Sequence, residues 1–245
     1  MKSRKNFKRI KEPMVSNVTG VESLQESEIF KGLTCAQVAD VLEKAKSVIL
    51  PAKSMLFTQG DPAERCFLVH SGRLKLTKFN EQGKEIILRY ILAGELTAAM
   101  AVFKAGTYPV TAESIDEITA SSWDKTTMLE LMRQYPDIAI NLLGVVTERI
   151  DEMQHRYLEL CTEQVEQRIA RSLLRLMRSF GLKTAEGIRL EISLSRQDIA
   201  DYSGTTIYTV SRTLSVWEKK GWIQSRRERI VIVKPQALVQ LAEIG

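Results

Sequence analysis

Histidine is nearly missing from this sequence: only two of 245 residues are His. His70 and His155 lie far apart, so there is no His-x-x-x-His metal pair and no paired imidazole for acid–base chemistry. The three cysteines, Cys35, Cys66 and Cys161, are equally scattered. They form no Cys-x-x-Cys and no metal-ligand spacing, and they read as reduced thiols of a cytoplasmic protein. No Gly-x-Ser-x-Gly elbow and no phosphate-binding glycine loop ending in Lys-Ser/Thr occurs, so an enzyme is not expected. No apolar run is long enough to span a membrane. The first residues are basic but have no apolar core behind them, so a secretory signal is not expected either.

What is present points to a globular chain with an anionic partner. Hydrophobic residues make up 44% of the sequence, ample for a buried core, and the net charge is +5. The length fits one or two domains.

The densest information lies from Ser193 to Ile223. Ser195 can cap a helix whose apolar positions are Ile199, Ala200 and Tyr202. Gly204 can end that helix in a left-handed turn. Thr205 or Thr206 can then cap a second helix with Val210 and Leu214 on one face. Two short helices joined by a Gly-containing turn form the unit that lays a second helix in the major groove of DNA. An ordinary helical hairpin is the alternative. Against it, the second helix starts with Thr206, Tyr208, Thr209, Ser211 and Arg212, polar groups that a plain hairpin would leave idle.

Trp217 and Ile223 bracket a stop at Gly221. A charged turn with Arg226, Arg227 and Arg229 follows, and then the β-branched run Ile230 to Val233. That pattern predicts a hairpin wing whose arginines sit near a phosphate backbone. The alternative is a solvated charged turn.

Upstream, residues 1–20 carry Lys2, Arg4, Lys5, Lys8, Arg9 and Lys11, and read as a basic arm that either adds nonspecific DNA affinity or is an inert tail. From Glu22 to Ala45 the pattern is helical, with Phe30, Leu33, Val38, Val41 and Leu42 as core candidates. From Val48 to Trp123, short apolar or alternating runs separated by glycines predict an antiparallel roll. From Pro136 to about Ser179 the pattern predicts a long helical segment, with a hinge near Gln164–Ile169 ahead of the DNA-binding part. On it Val146, Ile150, Met153, Tyr157, Leu160 and Gln164 recur in steps of four and three, a heptad seam that needs a partner. The expected fold is α+β, divided as arm 1–20, antiparallel β-roll 21–135, dimerisation helix 136–165 and winged helix-turn-helix 166–245.

The segment SRQDIADYSGTTIYTVSRTL resembles the DNA-binding domain of the Crp/Fnr transcription regulators, and QGDPAERCFLVHSGRLKL followed by AGEL resembles that family's effector domain. The resemblance covers nearly all of the chain beyond about residue 25. It implies phosphate contacts by Arg196 and Gln197 and base reading by Ile207, Tyr208, Ser211 and Arg212. Tyr208 departs from the glutamate of the family's best-known members, so their usual half-site is not carried over. The resemblance also implies a homodimer on a palindromic double-stranded DNA site, with RNA polymerase as a further partner.

The effector is less legible. The family's cyclic-AMP branch places a Glu on the ribose and an Arg on the cyclic phosphate. Here those positions read Ala99 and the Tyr108/Pro109 region, with no Arg or Lys between Gly106 and Asp116. Cyclic AMP is therefore not expected. The oxygen-sensing branch needs an N-terminal cysteine cluster, and no cysteine precedes Cys35, so no iron–sulfur cluster is expected. The segment LTAAMAVFKAGTYPVTAES resembles the nitric-oxide-responsive branch, some members of which bind haem. Haem needs an axial ligand, and His70 and His155 read first as packing or surface histidines. Met100, Tyr108, Met153 and Gln154 are candidates, by position only, for the pocket of an unidentified small-molecule or gas effector. A different class of reading stays open: a cyclic-nucleotide-binding-like module acting through protein contacts.

Overall fold

The computed structural model describes residues 24–104, 106–226 and 228–243. The basic arm read at residues 1–20 lies outside them, as does Arg227. The chain forms two compact units, one up to Ile150 and one from Asp151 onward, dividing inside a long helix.

In the first unit the helical expectation for Glu22–Ala45 is met only in part. A 3-10 turn covers Glu28–Phe30, and α1 covers Cys35–Glu43. Thr34 starts α1 with a capping box, accepting from the Gln37 N–H while the Gln37 side chain accepts from the Thr34 N–H. The anticipated core residues Phe30, Leu33, Val38, Val41 and Leu42 are all buried.

Eight strands follow: β1 (Lys46–Leu50), β2 (Met55–Phe57), β3 (Arg65–Ser71), β4 (Leu74–Phe79), β5 (Glu85–Ile91), β6 (Leu96–Thr97), β7 (Thr111–Ser114) and β8 (Ile118–Asp124). They build two antiparallel sheets in the orders β1-β8-β3-β6 and β2-β7-β4-β5. The short helix α2 (Ala99–Phe103) lies between β6 and β7 in the chain. Phe57 stacks on Tyr108 with ring centroids 4.2 Å apart. Trp123 is fully buried, and its indole N–H donates to the Val41 carbonyl at 3.0 Å, tying α1 to β8. Helix α3 (Lys125–Gln134) is capped by Asp124, and α4 (Pro136–Thr162) begins at a proline, whose missing N–H is no loss in a first turn. Asn141 of α4 donates to the carbonyls of Ile29 and Lys31 at 3.2 and 2.7 Å.

The long helical segment expected from Pro136 to about Ser179 consists of two helices, and the interruption falls at the start of the hinge expected near Gln164–Ile169. Glu163 and Gln164 interrupt it, and α5 (Val165–Phe180) starts afresh. Gln164, expected as a seam position, is instead the N-cap: its N–H donates to the Gln167 side chain at 2.8 Å. In the second unit α5 buries Ile169, Leu173, Leu176 and Phe180. Strands β9 (Gly181–Thr184) and β10 (Gly187–Leu190), helices α6 (Arg196–Ser203) and α7 (Ile207–Lys219), strands β11 (Ile223–Arg226) and β12 (Arg229–Ile232), and helix α8 (Pro235–Glu243) complete it. The sheet order is β11-β12-β10-β9. No described helix is long and apolar enough to cross a membrane.

Candidate nucleic-acid interface

The pair α6–α7 is assembled by side-chain caps. Ser195 Oγ accepts from the Asp198 N–H at 3.0 Å, and Asp198 Oδ2 accepts from the Ser195 N–H at 2.9 Å. Both ends of a capping box are thus closed, satisfying donors that a helix start otherwise leaves unpaired. Gly204 ends α6 at φ +68°, a conformation that costs other L-residues. Of the two threonines that follow, Thr206 is the cap, accepting from the Thr209 N–H at 3.3 Å.

Helix α7 has two distinct faces. Val210, Thr213, Leu214 and Trp217 are buried. Tyr208, Arg212, Ser215 and Lys219 follow one another in steps of four, three and four, which sets them on the opposite face. Tyr208 is 84% exposed, Ile207 is 38% exposed, Arg212 is exposed, and Ser211 and Thr209 are half-buried. Arg196 and Gln197 are exposed on the first turn of α6, where free N–H groups and the helix dipole favour an anion. Gln197 Nε2 donates to Asp201 at 2.8 Å.

Two arginines hold the turn between the helices. Arg156, on α4, donates to the Tyr202 carbonyl at 2.7 Å. Arg168, on α5, donates to the Ser203 carbonyl at 3.3 Å and to the Gly204 carbonyl at 3.5 Å. These are the carbonyls that the end of α6 leaves without helical partners. Arg175 grips Glu159 at 2.7 and 2.9 Å, joining α5 to α4, and Arg171 pairs with Glu163, just past the end of α4, at 2.6 Å. Burial lowers the Arg156 pKa, while the Glu159 carboxylate outweighs burial at Arg175 and raises it. Nothing in the sequence pattern singled out Arg156 or Arg168, because their acceptors are backbone atoms far along the chain.

The wing is the hairpin β11–β12, paired from Ile223↔Ile232 to Arg226↔Arg229. Its exposed Arg226 and Arg229 flank the tip. Glu228, at φ +59°, accepts from Ser193 Oγ at 2.6 Å through its carboxylate and from the Leu194 N–H at 3.1 Å through its carbonyl. The tip is therefore fastened to the segment leading into α6. At the other end, Glu218 of α7 accepts from the Ser225 N–H at 3.0 Å.

On α4, Ile150, Met153, Tyr157 and Leu160 are exposed and Val146 is half-buried. Met153 is 72% and Tyr157 68% exposed, far more than apolar side chains in a finished core.

The residues singled out for an effector differ in their surroundings. Tyr108 is buried, and its hydroxyl donates to the Arg65 carbonyl at 2.8 Å and accepts from the Arg65 N–H at 3.1 Å. Met100, Met153 and Gln154 are exposed. A cavity of about 350 Å3 in the first unit has a different lining, including Leu24, Ile29, His70, Glu95, Val145 and Arg149. There Arg149 and Arg89 both pair with Glu95, at 3.2 and 2.9 Å. His70 Nε2 is buried without a hydrogen-bond partner among the described residues, and burial lowers the His70 pKa. The lining comes from segments far apart in sequence, so no local pattern announces it. His155 is exposed on α4.

Comparison with known proteins places these features in context. A cyclic nucleotide-binding domain model matches residues 47–135, and a Crp-like helix-turn-helix domain model matches residues 167–241. The CRP-like cAMP-activated global transcriptional regulator of Mycobacterium tuberculosis is 25% identical over 221 residues, which cover 90% of this chain and 99% of that protein. The fumarate and nitrate reduction regulatory protein of Escherichia coli is 27% identical over 206 residues, 84% of this chain and 81% of that one. The structure of FixK2 from Bradyrhizobium japonicum shares the fold with a TM-score of 0.70 at 22% identity, covering 82% of this chain and 98% of that one.

Proposed function

We propose that this chain, which belongs to the Crp/Fnr family of transcription regulators, reads a palindromic DNA site as a homodimer and answers to an effector other than cyclic AMP. The observation that carries the reading is the pairing of two unsatisfied surfaces. One is the outward stripe of α7, with Tyr208, Arg212 and half-buried Ser211. The other is the apolar seam Val146, Ile150, Met153, Tyr157 and Leu160 on α4, whose repeat suits a second copy of the same helix. A two-fold axis along α4 presents two reading helices to successive major-groove faces, about 34–36 Å apart.

In the DNA complex, Arg196, Gln197, Arg226 and Arg227 contact phosphates and set the register. Ile207, Tyr208, Ser211 and Arg212 face base edges, with Thr206 and Thr209 fixing the first turn of α7. Arg212 is the guanine reader, since its fork of donors matches the two acceptors of that base.

The effector reading rests on chemistry. A buried cyclic phosphate needs a cation, and Ala99 and Pro109 offer neither a ribose acceptor nor a cation. An effector acts by preferring one of two arrangements of α4, and α4 reaches the α6–α7 turn through Arg156. The working site is the cytoplasm, with RNA polymerase as the protein partner.

The test is a duplex carrying the selected motif, titrated with the chain at several salt concentrations, with and without cyclic AMP. The expected result is a steep salt dependence, two chains per duplex and no response to cyclic AMP. Binding of one chain per duplex, or an affinity raised by cyclic AMP, removes the corresponding part of the proposal. A module acting through protein contacts shows no salt-dependent DNA affinity.

A further inference from the structure

We propose that Tyr208 selects the DNA site by contacting a thymine 5-methyl group in the major groove. This rests on the DNA-reading role given above to α7.

Tyr208 is the largest side chain on the outward stripe of α7 and is 84% exposed. The turn carrying Tyr208 is held in place, because Thr206 caps it and the Thr206 and Thr209 hydroxyls lie 3.0 Å apart. The Tyr208 ring is thus presented to solvent on the face of α7 opposite its buried one.

The groove offers a limited set of matching groups. Its base edges display donors and acceptors, and the one apolar group among them is the thymine 5-methyl. A carboxylate at position 208 would accept from the cytosine amino group. A phenol hydroxyl both donates and accepts, so hydrogen bonding through it discriminates poorly between bases. The ring is what carries information here, and a ring recognises a methyl. Arg212 lies four residues on, on the same face, so the thymine contact falls beside the guanine that Arg212 reads.

The experiment selects duplexes from random-sequence pools on the full chain, one pool made with thymine and one with uracil in its place. Affinities are then measured for the selected duplex with uracil, and with 5-bromouracil, at each thymine in turn. Removing the contacted methyl should weaken binding by about four-fold in one half-site and about fifteen-fold in both, from the worth of one buried carbon. Bromine, of similar bulk, should restore it. Tyr208→Ala should bind the thymine and uracil duplexes alike, whereas Tyr208→Phe should keep the preference. Equal binding of thymine and uracil at every position of a duplex the chain still selects overturns the proposal, as does a preference that survives in Tyr208→Ala. Failure to enrich any motif from the thymine pool removes the DNA-reading role itself and this proposal with it.

Discussion

The guanidinium of Arg156 donates a 2.7 Å hydrogen bond to the Tyr202 carbonyl and lies 4.5 Å over the ring of the same residue. One side chain of α4 thereby holds both the backbone and the side chain at the end of α6. Arg175, 5.9 Å from the same ring, joins it from α5. Both arginines thus join α4 and α5 to the end of α6, next to the turn that leads into α7.

Arg156→Met removes that hold while keeping most of the aliphatic stem. It should destabilise the second unit by about 1.5–3 kcal/mol, the usual worth of a hydrogen bond to a charged group. Chemical denaturation followed by far-UV circular dichroism reads the loss. Stability and DNA affinity both unchanged in the variant would show that the contact does not link α4 to the reading helix.

Gly204→Ala forces a Cβ into the left-handed region at φ +68°, where it also meets Leu160 Cδ2 at 2.9 Å. The expected cost is about 1–2 kcal/mol from the backbone alone. A melting temperature equal to wild type would contradict the role given to this glycine.

Charge placed on the α4 seam should break the proposed dimer. Met153→Glu with Tyr157→Glu should sediment as a monomer with unchanged far-UV circular dichroism. Its affinity for a palindromic site should fall on the order of 100-fold or more, since the second half-site no longer gains from the first. A dimer that survives both changes places the interface elsewhere.

Arg212→Ala should cost about 1–3 kcal/mol of binding and relax selectivity at one base pair of each half-site. A uniform loss across all sequences would instead mark Arg212 as a phosphate contact.

The depressed pKa of His70 gives a pH signature. The folded chain keeps this imidazole neutral because burial penalises its charge, whereas the unfolded chain protonates it near its ordinary value of 6.5. The unfolded state thus binds more protons just below that pH, and stability falls as the pH drops from 6.5 towards the lowered folded value. His70→Gln should flatten that part of the stability profile, measured by denaturant midpoints between pH 7 and 5. An unchanged slope would assign the acid sensitivity to other groups.

Local chemistry was readable in the sequence, and long-range placement was not. Ser195, Gly204 and Thr206 act through atoms within five residues of themselves, so their types and spacing were enough to outline α6 and α7. The break at Glu163–Gln164 carries no proline or glycine. Gln164 and Gln167 close it through an unusual glutamine cap. The β9–β10 hairpin passed unnoticed because its strands are only four residues each, one of them wholly exposed. The hydrogen bonds of the Tyr108 hydroxyl to the Arg65 backbone join positions 43 apart, which local spacing does not announce. The cavity gathers residues from Leu24 to Arg149, which no window of sequence brings together.

The most direct measurement is the sequencing of genomic fragments retained by the purified full-length chain without added ligand. The expected result is a two-fold symmetric motif whose half-site centres lie one helical turn, about 10 base pairs, apart. An asymmetric motif, or fragments retained without any shared sequence, would contradict a dimer that reads DNA through α7.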